Sequence, residues 1–340
     1  MSMDAELAQT LLMRAISRAD DCDRWGEAVE VLDRVENLPI PDLPELRFLQ
    51  SVVFELGEAA AEELRERFDA LVSTATGFEE HFQTEEYAEA VAATYSDVLD
   101  KANEGDWEEA WQVLDAVLML DCPQEGDLPW VKGCLEYMRI CADEGDEAGF
   151  RGTTEVVETY FSAERVTDDQ PERHRAIYRE ALRQADATDD WNLAWAYLNA
   201  ASGLPASGDA QIDYVAQRVS DLCDFIDQGD FEAFEGVAFV TLDLLTTDEP
   251  STPAEVFCDV ATDAINAAMV SESWDETFHL LDAAIKIPRS DNIRRARFLA
   301  ESLASLREMA SRREEGLAET ARTVLLTMEI ADREGFSLGE

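Results

Sequence analysis

In the stretch NEGDWEEAWQVLDAVLMLDCP, residues 103–123, apolar residues fall at helical spacing from Trp107 onward and stop near a proline. Trp107, Ala110, Trp111 and Leu114 stand at offsets 0, 3, 4 and 7, one face of an α-helix. The same face recurs along the chain. Trp25, Trp107, Trp191 and Trp274 are separated by 82, 84 and 83 residues. Three positions on stand Ala28, Ala110, Ala194 and Thr277, and four positions on stand Val29, Trp111, Trp195 and Phe278. At offset 7, Leu32, Leu114, Leu198 and Leu281 are each followed by Asp33, Asp115, Asn199 or Asp282. Pro39, Pro205 and Pro288 follow at offset 14, and Pro123 comes two residues later than that. The phase survives the proline, because offset 43 holds Phe68, Phe150, Phe234 and Leu317.

Each period of about 83 residues is long enough for two helical hairpins. Glycine–aspartate turns recur as EGDW at 104–107, EGDE at 144–147 and QGDF at 228–231. The pattern therefore predicts an all-α chain of about sixteen helices, four in each quarter: 1–83, 84–167, 168–251 and 252–340. Helix starts agree with those boundaries. TPAE at 252–255 has the form of a capping box, with Thr252 as N-cap, Pro253 in the first turn and Glu255 reaching back. QPER at 170–173 opens in a similar way, and Thr84 precedes another acidic first turn. The third helix of the last quarter is expected to begin near Asn292, with Phe298 near the buried aromatic position held by Phe48, Trp130 and Tyr214. Alternating β-branched runs, which would signal strands, are missing from the sequence.

The segment GDWEEAWQVLDAVLMLDCP resembles the second half of a tetratricopeptide repeat, with Gly105, Asp106, Trp107 and Ala110 in matching places and Pro123 one place late. The units are longer than that family's 34 residues, and a phenylalanine or Leu317 stands where the family has a small residue. The resemblance implies a divergent, right-handed α-solenoid in which neighbouring units share one core and a partner protein lies along the curved surface. In such an array the four aligned tryptophans are expected to be largely buried between helices.

Charge changes the picture next. The chain carries 75 acidic and 27 basic residues, a net −48, and the quarters carry −12, −16, −13 and −7. Only Lys101, Lys132 and Lys286 are lysines. Acid spread evenly over a chain that is 46% hydrophobic reads as a solubility device rather than an acidic tail. This composition resembles the cytoplasmic proteins of salt-accumulating halophilic archaea, whose salt screens such self-repulsion. An acidic surface that competes for nucleic-acid-binding proteins is the alternative, and direct binding of nucleic acid is not expected. The N-terminus has Asp4 and Glu6 where a secretion signal would be basic, and no apolar run reaches membrane-span length. A cytoplasmic setting is expected, with the six cysteines as free thiols.

Candidate chemistry is sparse. Glu276 and His279 have the spacing of half a carboxylate-bridged metal site, but the second half has no counterpart at His81 or His174. DCDRWGE at 21–27 resembles the opening of a calcium loop, yet Trp25 falls where an oxygen ligand belongs. Neither a phosphate-cradling loop nor a nucleophile elbow is present. No catalytic, cofactor-binding or metal residue is assigned. The expectation is a non-enzymatic scaffold or adaptor for protein partners, with an α/α-toroid hydrolase as a further alternative by fold analogy.

One local departure from the acidic coat lies at 286–313, where Lys286, Arg289, Arg294, Arg295, Arg297, Arg307, Arg312 and Arg313 gather. Arg294, Arg295, Arg297, Arg312 and Arg313 are the candidate partner-binding residues, because a planar guanidinium holds carboxylate or phosphate in a bidentate grip. The competing reading is a polar cap whose arginines pair with acids nearby. Spacing places Arg294 beside the buried face and turns Arg295 and Arg297 toward solvent.

Overall fold

The computed structural model describes residues 4–83, 85–124, 126–246, 252–289 and 293–334. Thr84 and Asn292, both named above as helix-start markers, lie outside them. Among the described residues the chain forms sixteen α-helices and no strand. They are α1 (Ala5–Asp20), α2 (Trp25–Glu36), α3 (Pro44–Ala61), α4 (Arg65–Phe82), α5 (Tyr87–Glu104), α6 (Trp107–Leu118), α7 (Leu128–Glu144) and α8 (Glu147–Glu164). They continue as α9 (Gln170–Ala187), α10 (Trp191–Ser202), α11 (Ala210–Gln228), α12 (Phe231–Thr246), α13 (Pro253–Val270), α14 (Trp274–Ile285), α15 (Arg294–Ser311) and α16 (Leu317–Glu334). None is long and apolar enough to cross a membrane.

The four tryptophans each open a helix of 12 residues. Local chemistry explains where three of those helices begin. Asp106 accepts the backbone N–H groups of Glu108 and Glu109 at 3.0 and 3.1 Å, while Glu109 accepts that of Asp106 at 3.4 Å. Asp190 caps α10 through Asn192 and Leu193, and Ser273 caps α14 through Glu276. The box at Thr252 forms as its sequence suggests, with the Thr252 N–H donating to Glu255 at 2.8 Å. The glycine–aspartate turns are of two kinds. Gly145 and Gly229 end α7 and α11 in the left-handed region at φ 69°, where a side chain would be strained, whereas Gly105 is extended at φ −80°.

The chain divides into two compact units, Met1–Phe161 and Ser162–Glu340. In the first, α1 touches α2, α3 and α4, so these four helices close on themselves rather than running on as separate hairpins. α4 then lies against both α5 and α6. The second unit shows the same adjacency, with α9 touching α10, α11 and α12, and α12 lying against α13 and α14.

Offsets 3 and 7 supply the deep positions of the tryptophan-led helices. Ala28, Ala110, Ala194 and Thr277 are no more than 3% exposed, and Leu32, Leu114, Leu198 and Leu281 no more than 1%. The tryptophans themselves are not largely buried, which corrects the expectation from the repeat. Trp107 is 41% exposed, and Trp25, Trp191 and Trp274 are half-buried. The reason is their place at the first helical position, where the side chain reaches only the end of the packed face while alanine and leucine fill its middle.

Candidate functional site

One side-chain arrangement recurs. Trp25 meets Phe68 edge-on with ring centroids 5.4 Å apart, Trp107 meets Phe150 at 5.3 Å, and Trp191 meets Phe234 at 5.2 Å. Interplanar angles of 74°, 88° and 89° make all three T-shaped pairs, the geometry that aromatic quadrupoles favour. Each pair joins the second helix of a set to the fourth, and each phenylalanine is buried. In the last set, Leu317 takes the phenylalanine's place and is also buried.

What differs is the cover on the tryptophan's remaining surface. The Arg65 guanidinium sits over the Trp25 ring, 5.8 Å from its centroid. Phe231 stacks on Trp191 at 4.2 Å and 25°. Arg65 and Phe231 are the first residues of α4 and α12, and the first residue of α8 is Glu147. The position at offset 40 reads Arg65, Glu147, Phe231 and Glu314, a mixture that its neighbours at offsets 39 and 42 share, so nothing in the sequence singled it out.

A second recurrent group uses the acid at offset 8. Asp115 is held by Arg67 and Arg139, each at 3.0 Å, and Arg67 also reaches Glu55 at 2.6 Å. The Arg139 guanidinium lies 5.9 Å from the Trp111 ring centroid. In the second unit Asp282 pairs with Arg307 at 2.6 Å, and Arg307 lies over Phe278 at 5.0 Å. Two carboxylates raise the pKa of the Arg67 guanidinium despite its partial burial, so it stays charged. The corresponding Asp33 is exposed.

The arginine segment is split among several tasks. Arg307 is taken up by Asp282, and Arg313 on the turn after α15 reaches Asp275 of α14 at 3.0 Å. Arg312 pairs with Glu308 and, at 3.5 Å, with Glu314. Arg289 donates to the Ile285 carbonyl at 2.9 Å and lies over Phe257. Arg294 and Arg297 are exposed, while Arg295 is half-buried and lines a cleft of about 310 Å³ with Ala254, Glu255, Cys258, Asp259 and Ile293. The expected orientations of Arg294 and Arg295 are thus exchanged. Ala296, not Phe298, occupies the fully buried place at the start of α15, and Phe298 is half-buried.

The other candidates have structural surroundings. His279 packs its ring on Phe225 and Phe278, and Glu276 accepts a hydrogen bond from Ser271 at 2.6 Å. No three His, Cys, Asp or Glu residues among those described are placed to hold a metal ion. The six cysteines are free; Cys134, Cys141 and Cys258 are buried and Cys22, Cys122 and Cys223 half-buried. Burial pushes the Cys134 thiol up to about 12 and that of Cys141 to about 11, away from the range of reactive thiolates. No family profile, curated protein or solved structure matches the chain.

Proposed function

We propose that the chain is a non-enzymatic helical-repeat scaffold that binds a protein partner in a salt-rich cytoplasm. In this reading the four quarters are divergent copies of one four-helix unit, wound as a right-handed α-solenoid. The observation that carries it is the edge-on Trp–Phe pair, which recurs three times within 0.2 Å while the group covering each tryptophan changes from Arg65 to Phe231 to an open face at Trp107. A constant interior with a varied exterior is what copies acquire when packing constrains one side and recognition the other. The net charge of −48 supports the salt-rich setting, because molar salt shortens the screening length to about 3 Å.

Copurification from the native host in molar potassium chloride, followed by reconstitution from the two purified components, tests the reading. A stoichiometric complex is expected. Turnover of a substrate by the chain alone would count against a scaffold. For the setting, the denaturant midpoint should rise between low and molar salt by several kcal/mol of folding free energy. A flat trend would remove the salt-rich cytoplasm from the proposal.

A further inference from the structure

The three tryptophans with edge-on phenylalanines have the same inner contact and different outer ones. At Trp25 the outer contact is a guanidinium, contributed by the residue that opens α4. At Trp191 it is an aromatic ring, contributed by the residue that opens α12. At Trp107 the residue that opens α8 is an exposed carboxylate, Glu147, and the tryptophan is 41% exposed. Trp107 is the most exposed of the four register tryptophans, and Trp25 shows that a guanidinium is one group this setting accepts as cover.

The surroundings of Trp107 select the same group. Asp106, Glu108 and Glu109 adjoin it in the first turn of α6, and α4 brings Glu66 to them. The Glu66 carboxyl is pushed above its usual range, first by the charge of Glu108, then by desolvation, by a hydrogen bond shared with Glu108, and by Asp106 and Glu109. Four carboxylates are thus gathered at the start of α6, with Glu66 and Glu108 sharing a hydrogen bond. The arginines that follow on α4 and α8 are engaged elsewhere, Arg67 by Glu55 and Asp115 and Arg151 by Glu155.

We propose that Trp107 anchors a docking site for an arginine side chain in a basic segment of a protein partner. The guanidinium lies over the open indole as Arg65 lies over Trp25, and its fork takes the carboxylates of Glu66 and Glu108. Arginine suits the site better than lysine because it combines a stacking plane with a bidentate grip, and both resist screening better than a point charge does. The assignment rests on the scaffold reading and specifies the chemistry of its partner.

The test is a titration of the full chain with an acetylated arginine–glycine peptide, followed through the tryptophan indole N–H resonances in molar salt. The Trp107 resonance, identified by its loss in Trp107→Phe, should shift saturably with the arginine peptide and not with the neutral citrulline counterpart. Glu66→Gln with Glu108→Gln should weaken the response about tenfold. Glu147→Arg supplies the covering guanidinium in cis, as at Trp25, and should abolish the response while leaving the melting transition intact. This variant keeps the test decisive even if Trp107→Phe misfolds. Equal responses to the two peptides, or an undiminished one in Glu147→Arg, would overturn the assignment. So would a peptide-free, concentration-dependent shift that disappears in Arg294→Glu with Arg297→Glu, since a second copy would then be the occupant. If a stoichiometric partner binds wild type and Glu147→Arg alike, the scaffold stands and the Trp107 site falls. If the peptide binds but no partner exists, the reverse holds.

Discussion

α12 and α16 stand at the same register in the second unit, one with helices packed on its outer face and the other with none among the described residues. Along α12 that face reads Gly236, Val240 and Leu244; along α16 the corresponding positions are Glu319, Thr323 and Thr327. The first three are buried, and the second three are exposed. The inward positions agree instead, as with Phe234 and Leu317, both buried. The register alone therefore fixes what a helix turns toward its own set. What it turns outward depends on whether another set lies there.

Gly236 gives the sharpest way to break this comparison. A Cβ at Gly236 would lie 2.6 Å from the Glu276 carbonyl oxygen and 2.9 Å from the Leu280 backbone nitrogen, so α12 and α14 meet backbone to backbone. No rotamer relieves such a clash, and the helices must separate. Gly236→Val should cost about 3 kcal/mol or more, measured by denaturant unfolding. Glu319→Val, at the same register on α16, should change stability by no more than about 0.5 kcal/mol. Equal costs would show that the two faces do not differ in packing.

The acids at offset 8 come next in size. Asp115 joins two partly buried arginines, Asp282 pairs with the more exposed Arg307 and Lys286, and Asp33 is exposed. Replacing each by alanine should cost about 2, about 1 and about 0 kcal/mol in that order, because unpaired guanidiniums are penalised more where water is scarcer. Double-mutant cycles with Arg139 and Arg307 would separate the ion pair from the packing of each arginine on its aromatic ring.

These groups also show what the sequence could and could not disclose. Helix type and register were legible because Ala110 and Leu114, like their counterparts, occupy deep positions at a fixed period. The capping box at Thr252 was legible because its partners are three residues apart. The exposure of Trp107 was not, since the side chain that would cover it comes from the start of another helix, 40 positions on. The Asp115 network was hidden for a different reason. With 75 acidic residues in the chain, proximity to a given arginine depends on packing that no spacing rule conveys.

Asp243 extends the comparison into pH. It lies on α12 at the register held by the exposed Leu326 on α16. Burial pushes its carboxyl up to about 6, and the charges of Asp263 and Asp259 on α13 add to that. A raised carboxyl binds its proton more tightly in the folded chain than in the unfolded one. Folding therefore gains stability as pH falls through about 6, and the gain is complete below the unfolded value near 4. After allowance for solvent screening, Asp243→Asn should remove about 1 kcal/mol of the stability difference between pH 7 and pH 5, and should stabilise the chain at pH 7. An unchanged pH difference would mean that Asp243 does not meet α13 as a charged neighbour.

The smallest effect is expected where the sequence drew most attention to itself, at Arg295 and Arg297. Two residues apart on α15, they have different surroundings: Arg297 is exposed, and Arg295 lines the cleft beside Glu255, Cys258 and Asp259. Its charge there opposes the rise that burial imposes on the Cys258 thiol. Reversing Arg297 to glutamate should cost no more than about 0.5 kcal/mol, as for other exposed charges in strong salt. Reversing Arg295 places a carboxylate against two others on α13 and should cost about twice as much, more so in low salt. If the segment is instead a docking surface, the outward residue carries the function. Arg297→Glu with Arg294→Glu would then abolish partner binding while the melting transition stayed in place. Unchanged binding in that double variant would leave the segment as a local balance of charge around α13 and α14.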